Sequence, residues 1–179
     1  MLEHDSGALG GEATTTRDSH SALVAAVDVD LDHTGIGFGS GAFGTQGTAQ
    51  QMIYHLKAAT TNDTTTTLQI TNVTYLNIPE DCTWSCRIAI TARSDDGESH
   101  YEFIHALIEN NGFSTALVGS VSQEVEISDD AARYTVNISA DDTNDALNIA
   151  VSDNDGGNTR WVARVDITQI IFPAVGNSS

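Results

Sequence analysis

The chain has 179 residues, 40% of them hydrophobic, with 25 acidic against seven basic side chains and a formal net charge of −18. It is long enough to bury a core without disulfide or metal staples and too apolar for a disordered chain. The charge argues against nucleic acid and anionic membranes as partners, because affinity for polyanions rests on clustered Lys and Arg.

The first twenty residues, "MLEHDSGALGGEATTTRDSH", show neither the basic start nor the apolar centre of a secretory signal. No apolar run approaches the roughly 18 to 20 residues of a membrane helix. Residues 1–47 hold nine of the fifteen glycines and one basic residue, Arg17, and read as an extended arm. Within it, "SALVAAVDVDLD" (21–32) places Leu23, Ala25, Val27, Val29 and Leu31 on one face and Asp28, Asp30 and Asp32 on the other. That period of two predicts a strand, and Val-Asp-Val-Asp is a poor helix. A lone strand needs a sheet edge, in this chain or a neighbour. "GIGFGSGAFGTQG" (35–47) spaces Phe38 and Phe43 with glycine. It cannot build a core, and it can lie along another surface with each Phe as an anchor. The candidate interface residues of the arm are therefore Leu23, Val27, Val29, Leu31, Phe38 and Phe43.

Residues 48–174 read as one domain, followed by a short tail, 175–179. "AQQMIYHLKA" alternates through Met52, Tyr54 and Leu56, "TTNDTTTT" is a polar loop, and "TLQITNVTYLNI" predicts a strand ending at Pro79. "TWSCRIAITAR" (83–93) turns Trp84, Cys86, Ile88, Ile90 and Ala92 inward and Arg87, Thr91 and Arg93 outward. "YEFIHALIEN" (101–110) is apolar on both faces, as a central strand is, and "NG" at 111–112 signals a turn. "STALVGSV", "QEVEIS", "YTVNIS" and "ALNIAV" continue the series. "ALNIAVSDNDGGNTRWVARVDITQI" (146–170) reads as a hairpin, with Trp161, Ala163, Val165 and Ile167 on one face and Arg164 and Asp166 on the other. About eight strands with turn signals between them predict an all-β fold, an antiparallel β-sandwich or jelly-roll-like domain carrying an extended N-terminal arm.

Little in the chain suggests chemistry. Cys82 and Cys86 of "CTWSC" lie four apart on a predicted strand, hence about 13 Å between Cα atoms, beyond the reach of about 7 Å that a disulfide needs. Both are expected reduced and in the core, with no second Cys or Cys-His pair to complete a metal site. "DVDLDH" sets three Asp on one strand face, read as a solvated edge that discourages pairing. "SDNDGGN" fails as a calcium loop because its closing position falls on Ala163, which supplies no carboxylate. His105 reads as a packed or interface side chain. With no nucleophile elbow, metalloprotease motif or phosphate loop, the expectation is no catalytic, cofactor-binding or metal-binding residue, and a protein that is not an enzyme.

Taken in order, "SGAFGTQGTAQ", "AATTNDTTTTLQI", "LNIPEDCTWSCRIAITAR", "NNGFSTALVGSV", "SADDTNDALNIAV" and "TRWVARVDITQI" resemble the β-rich domain that ends many virion proteins of tailed bacteriophages. The resemblance covers about residues 40–171 and rests on structural motifs, so it carries no active site across. It implies a virion structural protein. The reading put first is a cement or decoration protein on the outer capsid surface, a homotrimer bound through its arm to the major capsid protein or another virion protein. The alternative is a tail or head fibre subunit whose sandwich binds a host glycan. Neither role involves a cofactor, nucleic acid or a membrane.

Overall fold

A computed structural model describes residues 7–9, 21–23, 36–39, 43, 48–70 and 75–172. In chain order the strands are β1 (Gly7–Leu9), β2 (Ser21–Leu23), β3 (Ile36–Gly39), β4 (Ala49–Thr61), β5 (Thr66–Thr67), β6 (Leu76–Asn77), β7 (Cys82–Ser94), β8 (Ser99–Asn110), β9 (Thr115–Leu117), β10 (Ser122–Ser128), β11 (Tyr134–Asp141), β12 (Ala146–Asp153) and β13 (Asn158–Ile171). No helix occurs among the described residues, and so none is long and apolar enough to cross a membrane.

The fold is a two-layer, all-β sandwich of unequal sheets. The larger has nine strands in the order β1-β2-β3-β4-β13-β7-β8-β10, with β9 also on β8; the smaller has β11-β12-β5, with β6 also on β12. Pairing is antiparallel except at β1–β2 and β2–β3. The long strands β4, β7, β8 and β13 are in step: Leu56 stands opposite Ala163, Ala163 opposite Ile90, and Ile90 opposite Glu102. Alternation then sends one residue in two inward. Leu56, Ile88, Ile90, Ile104, Ile108, Trp161, Val165 and Ile167 form one buried cluster with Ile138, Leu147, Ile149 and Val151 of the smaller sheet. Trp161 is 1% exposed and its indole N–H donates to Thr60 Oγ1 at 3.0 Å. Trp84 donates likewise to Gln169 Oε1 at 2.7 Å. Cys82 and Cys86 are free, buried on the inner face of β7, as their spacing predicts. Burial pushes the Cys82 thiol up to about 12 and raises that of Cys86 as well.

The structure corrects three expectations. Residues 146–170 are not a hairpin: β12 pairs with β11, β5 and β6, while β13 pairs with β4 and β7. The turn carries the chain from one sheet to the other, a gap of about 10 Å rather than the 4.8 Å between paired strands. What fills that gap is Asp153, fully buried, whose carboxylate accepts from Arg133 Nε and Nη2 at 2.8 Å each and from Thr159 Oγ1 at 2.6 Å. The arginine hydrogen bonds hold the Asp153 carboxyl below the usual range against the opposing effect of burial. Arg133 Nη1 reaches Glu98 Oε2 at 2.9 Å and also Asp96, so one buried guanidinium ties together two turns. Gly157 is needed beside it, because a Cβ there would lie 2.5 Å from Arg133 Nη2.

Residues 67–78 are not one strand but short pieces, β5, a bridge from Gln69 to Lys57, and β6, with 71–74 outside the described residues. The backbone changes partner along the way: Leu68 N–H donates to Ile149 O of β12 at 2.8 Å, Gln69 N–H to Lys57 O of β4 at 3.1 Å, and Ile78 N–H to Asp145 O beside β12 at 2.7 Å. Finally, the "polar loop" beginning at Thr60 still holds the end of β4 and all of β5.

Candidate functional site

The smaller sheet covers one face of the larger. The opposite face is built from the alternate residues of the same strands, and their register defines it as a grid. Reading across β4, β13, β7, β8 and β10, one row runs Lys57, Val162, Thr91, Tyr101, Ile127. The next runs His55, Arg164, Ala89, Phe103, Val125, and the next Ile53, Asp166, Arg87, His105, Ser122. Beyond Lys57 lie Ala59, Arg160, Arg93 and Ser99; beyond Ile53 lie Gln51, Thr168, Ser85 and Leu107.

This face gathers the chain's positive charge. Of seven basic residues, Arg17 lies outside the described residues and Arg133 is buried. The remaining five, Lys57, Arg87, Arg93, Arg160 and Arg164, are all exposed and all on this face. Many of the described acidic side chains are in or beside the turns: Asp95, Asp96, Glu98, Asp129, Asp130, Asp141, Asp142 and Asp145. Ser94 and Arg133 hold Asp96 down at about 2, and the Asn144 side chain holds Asp141 below the usual range. The described residues are therefore polarised: acidic turns and one cationic sheet face.

Among the clefts on this face, two gather its arginines. One of about 450 Å³ is lined by Ala59, Thr61, Arg93, Asp95, Asn158 and Arg160. The other, of about 220 Å³, lies between Phe38, Gln51, Ser85, Arg87, Arg164 and Asp166. In it Arg164 Nε donates to Asp166 Oδ1 at 2.9 Å, and the Arg87 guanidinium carbon stands 5.7 Å from the centre of the Phe103 ring. Toward β10 the surface becomes apolar, with Val125 40% and Ile127 66% exposed. There His105 Nδ1 lies 3.2 Å from Glu124 Oε1 at the bulge of β10.

A second polar group lies inside the sandwich. His100 stacks on Tyr134 at 5.1 Å and meets the edge of Trp161 at 6.2 Å, while its Nε2 lies 3.5 Å from Glu102 Oε2. Among the described residues neither ring nitrogen nor the Tyr134 hydroxyl has a hydrogen-bond partner, and burial raises the Tyr134 pKa. His100 and Glu102 are 2% and 8% exposed, so a ligand must part the sheets to reach them. "YEFIHALIEN" thus follows from both sides of β8: polar groups enter the core, while Tyr101 and Phe103 stand half-buried outside.

Of the arm residues expected at an interface, Phe38 stands on β3 opposite Gln51 and walls the smaller cleft. Phe43 is 77% exposed, its backbone N–H held by Thr48 Oγ1 at 2.9 Å. Leu23 ends β2, whose backbone pairs with β3. Val27, Val29 and Leu31 lie outside the described residues, as do the three Asp of "DVDLDH". Among the described residues no group of three or more His, Cys, Asp or Glu is placed to hold a metal. The alternation marks Arg87, Arg93 and Arg164 as outward one by one. It does not reveal that all share one side of one sheet, which only the pairing settles.

No family model matches the sequence, and no curated protein matches it. Among solved structures, the chain is similar to the tailspike protein gp49 of Acinetobacter baumannii bacteriophage Fri1, a capsular polysaccharide depolymerase, at 15% identity and a TM-score of 0.40. It is also similar to the tailspike protein of Acinetobacter phage vB_ApiP_P1, at 11% identity and a TM-score of 0.39. The matches cover 70% and 67% of this chain but only 18% and 22% of the tailspikes, so it spans about a fifth of their length. The expectation of a protein that is not an enzyme is corrected here: one of these neighbours is a depolymerase, and the exclusion is withdrawn. A likeness at this score transfers neither that activity nor its site.

Proposed function

We propose that the chain is a bacteriophage virion protein of the tail or a fibre, whose sandwich turns its uncovered sheet face toward a glycan on the host surface. The observation that carries this reading is that face, which holds every exposed cation among the described residues and two clefts walled by polar side chains. Its sequence resemblance to the domain that ends tailed-phage virion proteins supplies the setting. A cement role fits the face less well. A cement contact is a protein–protein interface, whose buried centre is depleted of charge, and the middle strands here carry Arg164, Asp166 and Arg87. In this reading the arm joins the chain to another virion protein, and the exposed Phe43 supports that use. A homotrimer would present three such faces together and turn weak glycan contacts into avidity.

The test is labelling of purified particles with gold-conjugated antibody against the sandwich. Label at the tail or its fibres is the expected result. Label spread over the whole head returns the cement role, and intact particles without label overturn a virion role altogether.

A further inference from the structure

We propose that the uncovered face binds an acidic polysaccharide, whose carboxylates sit on two cationic stations, Arg93 with Arg160 and Arg87 with Arg164. This rests on the glycan reading above and adds the charge class of the ligand.

The first station is unfavourable as it stands. Arg93 and Arg160 are directly opposite each other on β7 and β13, and like charges so placed destabilise a sheet. Lys57 adds a third cation one strand over, diagonal to Arg160. Among the described residues no carboxylate lies within ion-pairing distance of any of the three. Among the described residues Arg93 Nη1 donates to Ser99 Oγ, at 2.9 Å, and the Arg160 side chain makes no hydrogen bond. The nearest acid lining the cleft, Asp95, is occupied by Asn158, whose amide Nδ2 donates to Oδ2 at 2.7 Å and whose backbone N–H donates to Oδ1 at 3.4 Å. This cluster thus has no counter-charge among the described residues. Two guanidinium forks lining one cleft suit a carboxylate, which guanidinium binds bidentately.

The second station lies four residues along β13, about 14 Å away by strand geometry. Arg164 is held there by Asp166 in an exposed pair of the kind that contributes little, so a ligand carboxylate can take the place of Asp166. Thr91 and the exposed Val162 lie between the stations, and Gln51, Thr168 and Ser85 lie beyond the second, with Phe38 at its edge. Stations about 14 Å apart can hold two acids of one polymer, whether every sugar carries a carboxylate or only some do. They match duplex nucleic acid poorly, which carries a charge about every 1.7 Å and is repelled by the protein's net charge.

The experiment measures binding of the full chain to polygalacturonate, alginate and hyaluronate, each beside its carboxyl-reduced form, with dextran and a single-stranded oligonucleotide as comparisons. Expected are binding to at least one polyuronate, its loss on carboxyl reduction, and weakening with added salt. The double variant Arg93→Gln, Arg160→Gln should bind at least about tenfold more weakly at an unchanged melting temperature. Equal binding of charged and reduced polymers, or full binding by the double variant, overturns the acidic assignment and leaves the glycan reading standing. Binding to no polysaccharide of either kind overturns both. Binding of the oligonucleotide as tight as the best polyuronate overturns the proposal in favour of nucleic acid. The salt and carboxyl-reduction arms use the natural chain and decide the matter even if the variant misfolds.

Discussion

The two faces of the nine-stranded sheet are made by the same strands, one residue apart, and differ in almost every property. On the inner face Leu56, Ala163 and Ile90 are at most 2% exposed, and the smaller sheet closes over them. On the outer face their sequence neighbours are Lys57, Arg164 and Thr91, all exposed. Burial of apolar area at about 25 cal/mol per Å² makes the first face the source of stability. The second contributes little to folding and is free to be shaped by what it binds. The lesson is a division of labour at single-residue resolution: changes at even and odd positions of one strand should have unrelated consequences.

The largest expected effect breaks the inner face. Trp161→Ala removes a fully enclosed ring that packs on Tyr134 at 5.8 Å and loses the indole bond to Thr60, for a cost of about 3 to 5 kcal/mol. That is a large share of the roughly 5 to 15 kcal/mol of an ordinary domain. Thermal unfolding checks it, and a shift of only a degree or two would mean that the core does not depend on this strand face.

Asp153→Ala tests the joint between the sheets. It strands the buried Arg133 guanidinium and should cost about 3 kcal/mol or more. The same pair sets an acid limit. Because the folded Asp153 pKa lies below the value of a free carboxyl, near 3.9, its stabilisation is present above about pH 4. That stabilisation is lost as the pH falls through the lowered value. Melting temperature should therefore drop below pH 4 in the natural chain, and less steeply in Asp153→Ala. Parallel curves for the two would remove Asp153 from the account.

These two sites also show what could be read from sequence and what could not. Alternation identifies Trp161, Trp84, Cys86, Ile88 and Ile90 as core, because period two is a local property of one strand. Turn chemistry in "SDNDGGN" is local too, and it is the same whether the chain folds back within a sheet or arches to another. The choice depends on Arg133, twenty residues earlier, receiving Asp153. For the same reason the cationic face was legible only as separate outward arginines. Neighbours across strands are set by register over β4, β13 and β7, which no single stretch encodes.

A smaller effect concerns the thiols. Cys82 and Cys86 should both be free by mass measurement without reductant, and both should react with a thiol reagent only after unfolding, since burial raises their pKa values. Rapid modification of the native chain would show that the inner face opens.

The smallest expected change sharpens the outer face. Arg93→Gln with Arg160→Gln should move stability by no more than about 0.5 kcal/mol, and upward if anything, because a like-charge pair is relieved. A loss comparable to that of Trp161→Ala would make these arginines part of the fold.

The most direct test of a face specialised for an acidic polymer is a map of amide chemical-shift changes in the full chain as polygalacturonate oligomers are added. Shifts should concentrate on β4, β7 and β13 around Lys57, Arg93, Arg160 and Arg164, leaving β11 and β12 unmoved. Shifts confined to the acidic turns or to the smaller sheet, or none at saturating oligomer, would contradict it.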